Sequence, residues 1–223
     1  MQGELIFFWL LLPVAAFIGW WIGSNTEKRT KTSKNISLEY FKGLNFVLNE
    51  QPDKAIEVFI RMVEVDNETV DTHLALGNLF RRRGEVDRAI RIHQNLIARS
   101  NLSEDERAHA LLELGMDYMR SGLLDRAEKL FLELLDIGLY LKEAHFNLLE
   151  IYQQEKDWEN AILIAKKYES ISGKDHNSIT AQFFCELAEN YLEKNQIENA
   201  RENIQNAMRS NPKCVRASIL EAK

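Results

Sequence analysis

Apolar and polar positions divide the chain into two regimes. From Leu5 to Gly23 it reads LIFFWLLLPVAAFIGWWIG without a charged residue. At 1.5 Å rise per residue a helix of that length spans roughly 28 Å, enough to cross the hydrocarbon of a bilayer. Beyond Asn35 the apolar residues are spaced for one buried helix face. Ile56, Phe59, Ile60 and Val63 recur at i, i+3, i+4 and i+7, and Leu130, Leu134 and Ile137 repeat part of that pattern. The two regimes predict an N-terminal transmembrane helix followed by an all-α domain. A cleaved signal peptide is the alternative for the first, but Met1 to Glu4 hold no Lys or Arg and no small-x-small cleavage site follows the span.

Charge orients the expected anchor, residues 1–23. Lys28, Arg29, Lys31 and Lys34 lie just after the span and Glu4 is the only ionisable side chain before it, so the following residues face the cytoplasm. Trp9, Trp20 and Trp21 fit the two interfaces, where an indole is half apolar and half wet. Ala15, Gly19 and Gly23 fall four residues apart and leave one helix face smooth. That face suits a partner helix, or belongs to a span that merely anchors. Residues 24–35, SNTEKRTKTSKN, read as a basic tether at the membrane surface.

After the tether a pattern recurs at about 34 residues, the length of one helix-turn-helix unit. Ala55, Ala89, Ala127, Ala161 and Ala200 align, each with an acid two residues earlier: Asp53, Asp87, Asp125, Glu159 and Glu198. Nine residues before the alanine stands an aromatic, Phe46, Phe80, Tyr118, Tyr152 or Tyr191, and twelve before it Gly43, Gly77, Gly115, Leu149 or Ala188. Small residues at these places let two antiparallel helices touch, with the aromatic filling the gap. Gly84, Gly122 and Asn195, five before the alanine, suit a left-handed helix end. The acids favour the opening turn of each second helix, and Pro52 suits a first turn.

The expected units are 36–69, 70–103, 108–141, 142–175 and 181–214, with a sixth starting at 215 and stopping at 223. They resemble tetratricopeptide repeats, which stack into a superhelical solenoid because one unit cannot bury its own face. The short insertions at 104–107 and 176–180 belong in surface turns. The sixth unit breaks off inside its first helix, from which we expect relatives to carry a further C-terminal part. An open apolar end also makes the chain a candidate partner for itself, as a homo-oligomer.

With net charge −6 and pI about 5.5 the chain has no basic field to gather phosphate backbones, so nucleic acid is not an expected partner. Cys185 and Cys214 form no CxxC pair and His73, His93, His109, His145 and His176 are scattered, so no metal is expected. Neither GxSxG nor a phosphate-binding glycine loop occurs, so no catalytic residue is assigned and the chain reads as a binding protein.

Residues 73–96, HLALGNLFRRRGEVDRAIRIHQNL, narrow the family, together with LLLPVAA in the span, Gly43 to Phe46, Asp53 to Ala55, and Phe184 to Ala188. They resemble the lipopolysaccharide assembly protein B family of bacterial inner membranes, over essentially the whole chain. The resemblance implies a single-pass protein with cytoplasmic repeats and a C-terminal rubredoxin-like zinc domain. It also implies an adaptor that promotes degradation of the deacetylase LpxC by the membrane protease FtsH and associates with lipopolysaccharide export proteins. The paired CxxC motifs of the zinc domain are not in this chain, so no cofactor is expected in it.

In tetratricopeptide repeats the first helices line a concave groove at the second, fifth, ninth, twelfth and thirteenth positions of each unit. Here that gives Tyr40, Asn78, Arg81, Arg82, His109, Met116, Met119, Arg120, Glu150 and Gln153 among others. Arg81, Arg82 and Arg120 suit carboxylates of a partner, or pair with the chain's own acids. Met116 and Met119 are adaptable contacts for an apolar segment, or core. A general scaffold for envelope complexes is the competing function; an enzyme would need a catalytic module beyond Lys223.

Overall fold

The computed structural model describes residues 38–65 and 69–222. The expected span, the tether and the face of Ala15, Gly19 and Gly23 lie outside the described residues. Among those described, no helix is long and apolar enough to cross a membrane.

Helices follow one another in pairs, as the repeat predicts: α1 (38–48) and α2 (Pro52–Val65), α3 (Val70–Arg82) and α4 (Val86–Ile97), α5 (Glu104–Arg120) and α6 (Leu124–Ile137). Then come α7 (Leu141–Glu155) and α8 (Trp158–Ser172), α9 (Asn177–Glu193) and α10 (Ile197–Ser210), and finally α11 (Val215–Glu221). The chain divides into two compact units, one up to Leu76 and one from Gly77 onward. In the first, the ring of Tyr40 meets Phe59 edge-on at 5.8 Å. In the second, consecutive helices from α4 to α11 pack on one another, α5 also touches α7, and α9 also touches α11.

One turn is built five times. Glu50, Gly84, Gly122, Lys156 and Asn195 all have φ between 55° and 82°. After each, the next residue's N–H donates to the carbonyl five residues back, at 2.9 Å in every case: Gln51 to Phe46, Glu85 to Phe80, Leu123 to Tyr118, Asp157 to Tyr152, Gln196 to Tyr191. This closes the first helix on the carbonyl of the repeat's own aromatic. Glycine or asparagine signals the turn in three copies; Glu50 and Lys156 adopt it without that signal and bear the strain of a left-handed side chain.

The recurring alanines are all at most 1% exposed, which leaves no room for a larger side chain. The small residue twelve positions earlier does not meet backbone, as the sequence suggested. It meets the ring four residues after the alanine. A Cβ on Gly43 would lie 2.7 Å from Phe59, one on Gly115 2.7 Å from Phe131, and one on Gly77 would collide with the imidazole of His93. The fourth unit exchanges the sizes, with Leu149 at the first position and Ala165 at the second, and the fifth keeps the small residue first, with Ala188 and Ile204, all buried. Each pair therefore conserves volume while its members differ, as dense packing requires.

Three of the aromatics pack against the second helix of their own unit. Phe46, Phe80 and Tyr118 lie beneath the cations of Lys54, Arg88 and Arg126, at 5.8, 3.8 and 5.7 Å. Tyr152 donates back to Glu128 at 2.7 Å, and burial together with that carboxylate raises its phenol. In α2 the buried stripe is Ala55, Ile56, Val58, Phe59 and Met62, rotated from the expected one; Ile60 and Val63 lie half-buried at its edge.

The insertions are not surface turns. Residues 104–107 form the first turn of α5 and 177–180 that of α9, lengthening each to 17 residues. For α5 the cause is a capping box. The Ser103 hydroxyl accepts from the Glu106 N–H while the Glu106 carboxylate accepts from the Ser103 N–H at 2.8 Å, so the helix starts a turn early.

Candidate partner-binding groove

In the second unit, the last turn of α3 together with α5 and α7 lines an open cavity of about 460 Å³. Arg81, Arg82, Met116, Met119, Arg120, Asn147, Glu150 and Gln154 line it. Six of these are predicted groove residues. Gln154 was not singled out, although it stands at the thirteenth position of its unit and the same rule reaches it. Asn147 follows no groove position and is held inward by donating to the Glu143 carbonyl at 2.8 Å.

The three arginines differ in kind. Arg81 is spent on its own protein: Nη2 donates to Glu113 Oε2 at 2.7 Å, and Nη1 to Asp117 Oδ1 at 2.8 Å and to the Glu113 carbonyl at 3.1 Å. On the other side of Asp117, Oδ2 lies 2.6 Å from Nδ1 of the fully buried His93. Burial alone would raise the Glu113 carboxyl, but hydrogen bonds from His109, Arg81 and Asn78, together with the Arg81 charge, hold it at about 2. Burial would likewise lower Arg81, and its two carboxylates outweigh that and raise it. Arg82 and Arg120, by contrast, are exposed and have no ion pair or hydrogen bond among the described residues. Two guanidinium groups free to pair thus stand over two half-buried methionines, with the exposed Glu150 on the α7 side.

The remaining predicted groove residues are not brought to this cavity. Tyr40 belongs to the first unit, where burial and Asp71 raise its phenol. Asn78 supports Glu113 and leaves its own Oδ1 buried without a partner. His109 stacks on Tyr140 with ring centres 5.5 Å apart. Gln153 turns back onto the Leu149 carbonyl at 3.2 Å. Sequence reasoning missed the Arg81, His93, Glu113 and Asp117 set as a set. The signal was a histidine at a place where Phe59 and Phe131 stand in neighbouring repeats. Among the described residues no group of three or more His, Cys, Asp or Glu side chains is gathered to hold a metal ion.

Known proteins match this arrangement along the chain. Tetratricopeptide repeat profiles match residues 72–107, 112–176 and 181–214. Lipopolysaccharide assembly protein B of Escherichia coli K12 is 41% identical over 220 residues, which cover 97% of this chain and 56% of that protein. Its counterpart in Haemophilus influenzae is 40% identical over 98% of this chain and 57% of its own length. The chain thus spans a little over half the length of the curated relatives it matches. Among solved structures, the MamA protein superposes with a TM-score of 0.60 at 18% identity, over 81% of this chain and 94% of that one. A tetratricopeptide repeat protein of Thermus thermophilus gives 0.52 at 16%, over 84% and 97%. These structures share the fold. The chain belongs to the tetratricopeptide repeat family, and along nearly its whole length it is similar to lipopolysaccharide assembly protein B.

Proposed function

We propose that this chain is a membrane-anchored adaptor that regulates lipopolysaccharide biosynthesis. Residues 1–23 serve as a single inner-membrane span, 24–35 as its basic tether, and the repeats at 36–69, 70–103, 108–141, 142–175 and 181–214 face the cytoplasm. The observation that carries the reading is the cavity across α3, α5 and α7, where unpaired Arg82 and Arg120 overhang Met116 and Met119. A guanidinium pairs bidentately with carboxylates of an incoming polypeptide, and the thioethers adapt to its apolar side chains. Asn78, His109 and Gln153 support the helices that bear that contact. Relatives named for lipopolysaccharide assembly support the pathway. Within it the client is LpxC, delivered to FtsH, with lipopolysaccharide export proteins as further partners.

Depletion of the protein in its own host, followed by a translation chase of LpxC, tests this. The expected result is a longer LpxC lifetime on depletion. Unchanged turnover would leave a scaffold for envelope complexes and remove the proteolytic role.

A further inference from the structure

The sulfurs of Cys185 and Cys214 lie 3.9 Å apart in the second unit, the first on α9 and the second capping α11. Cys185 is fully buried and Cys214 is 4% exposed. The helices that carry them are fixed in register by a neighbouring ion pair. Arg216, two residues after Cys214, reaches Glu186 at 2.6 Å and Glu189 at 2.7 Å, and Glu186 directly follows Cys185. Gln182 Nε2 stands 3.6 Å from the Cys214 sulfur on the other side. A disulfide needs its sulfurs about 2.05 Å apart, so the two sulfurs of this pair must approach by about 2 Å from their 3.9 Å separation. No part of the proposed groove uses either thiol.

We propose that Cys185 and Cys214 are an oxidative modification site, at which a hydroperoxide converts the two thiols into a disulfide that ties α11 to α9. Cys214 reacts first, because it alone has any solvent exposure. Its sulfur attacks the outer peroxide oxygen, the O–O bond breaks, and the alcohol leaves with the thiol's proton, giving a sulfenic acid. The Cys185 sulfur then attacks that sulfur, the S–O bond breaks, and hydroxide leaves as water with the Cys185 proton. Two thiols lose two electrons and two protons; one hydroperoxide becomes one alcohol and one water. Burial and the adjacent Cys214 push the Cys185 thiol up to about 12, so Cys185 is held as the protonated thiol that resolves the sulfenic acid. The bridge closes a loop with a sequence separation of 29 residues, long enough to stabilise the last two repeats by restricting their unfolded chain.

The test treats the full chain with hydrogen peroxide, quenches it, and reads intact mass, free thiols and linked peptides. The expected product is monomeric, about 2 Da lighter, without titratable thiols, and yields a peptide joining Cys185 to Cys214. Its melting temperature rises by roughly 5 °C or more, and dithiothreitol reverses the change. Cys185→Ala and Cys214→Ala each abolish the mass loss. Disulfide-linked dimers, or a gain of about 32 Da at Cys214 with Cys185 still free, would overturn the proposal. The wild-type readout needs no variant, so misfolding of either substitution leaves it decisive.

Discussion

Four equivalent positions build two successive joints of the array in opposite materials. Between the α3–α4 and α5–α6 pairs they are Arg81, His93, Glu113 and Asp117, a connected set of charges. Between α5–α6 and α7–α8 the same positions are Met119, Phe131, Asn147 and Ile151, of which Phe131 and Ile151 are fully buried. Packing alone therefore suffices for the joint, and charge is not what the fold demands there. Removing carboxylates from water costs several kcal/mol per ion, which good geometry recovers without a large surplus. The polar joint fixes orientation and register: a planar guanidinium gripped by two acids leaves Arg81 one direction to point, and the neighbouring Arg82 faces the open cavity.

The largest effect is expected from leaving half of the polar joint unpaired. Asp117→Ala strands Arg81 and the buried His93, and should cost about 3–5 kcal/mol in urea unfolding. Transplanting the apolar joint instead, with Arg81→Met, His93→Phe, Glu113→Asn and Asp117→Ile together, should leave stability unchanged or raise it by about 1–4 kcal/mol. A loss comparable to that of Asp117→Ala would show that the two joints are not interchangeable.

Acid separates the joints next. The folded-state carboxyl of Glu113 at about 2, against an ordinary 4.5, stabilises the protein above pH 4.5. That contribution fades as pH falls from there toward 2. Glu113→Gln should therefore cost on the order of 2 kcal/mol at pH 7. It should also flatten the stability profile between pH 4.5 and 2, whereas Asn147→Asp in the apolar joint should not reproduce that slope. Smallest is the turn: Lys156→Gly relieves a left-handed side chain and should add about 0.5–1 kcal/mol, the same change at Gly122 being unavailable because glycine is already there.

Much of this fold was legible because each repeat states its rules locally. The alanine, the acid in the first turn and the glycine at the helix end each follow from one backbone requirement, and five aligned copies made the period plain. What was not legible depended on partners across repeats. Gly77 reads as a small residue for helix contact, yet its role is to admit the His93 ring. Arg81 and Arg82 look alike in sequence, and only the acids of α5 divide them into a structural and an available cation. The insertion before α5 read as a loop because it falls outside the 34-residue period, whereas the Ser103 and Glu106 capping box makes it helical. Of the groove, the positional rule located the cavity's methionines and exposed arginines, since those positions depend on helix geometry alone. It could not foresee that His109 and Gln153 would be taken up by neighbours.

If the exposed cations of this cavity hold a polypeptide client, as proposed, reversing their charge should release it. The most direct measurement replaces the chromosomal copy with Arg82→Glu/Arg120→Glu and follows LpxC lifetime in cells, alongside thermal melting of the purified variant. LpxC should persist several-fold longer while the melting temperature stays within about 2 °C of wild type, as expected for exposed side chains. Wild-type turnover of LpxC in cells carrying the charge-reversed protein would contradict the account.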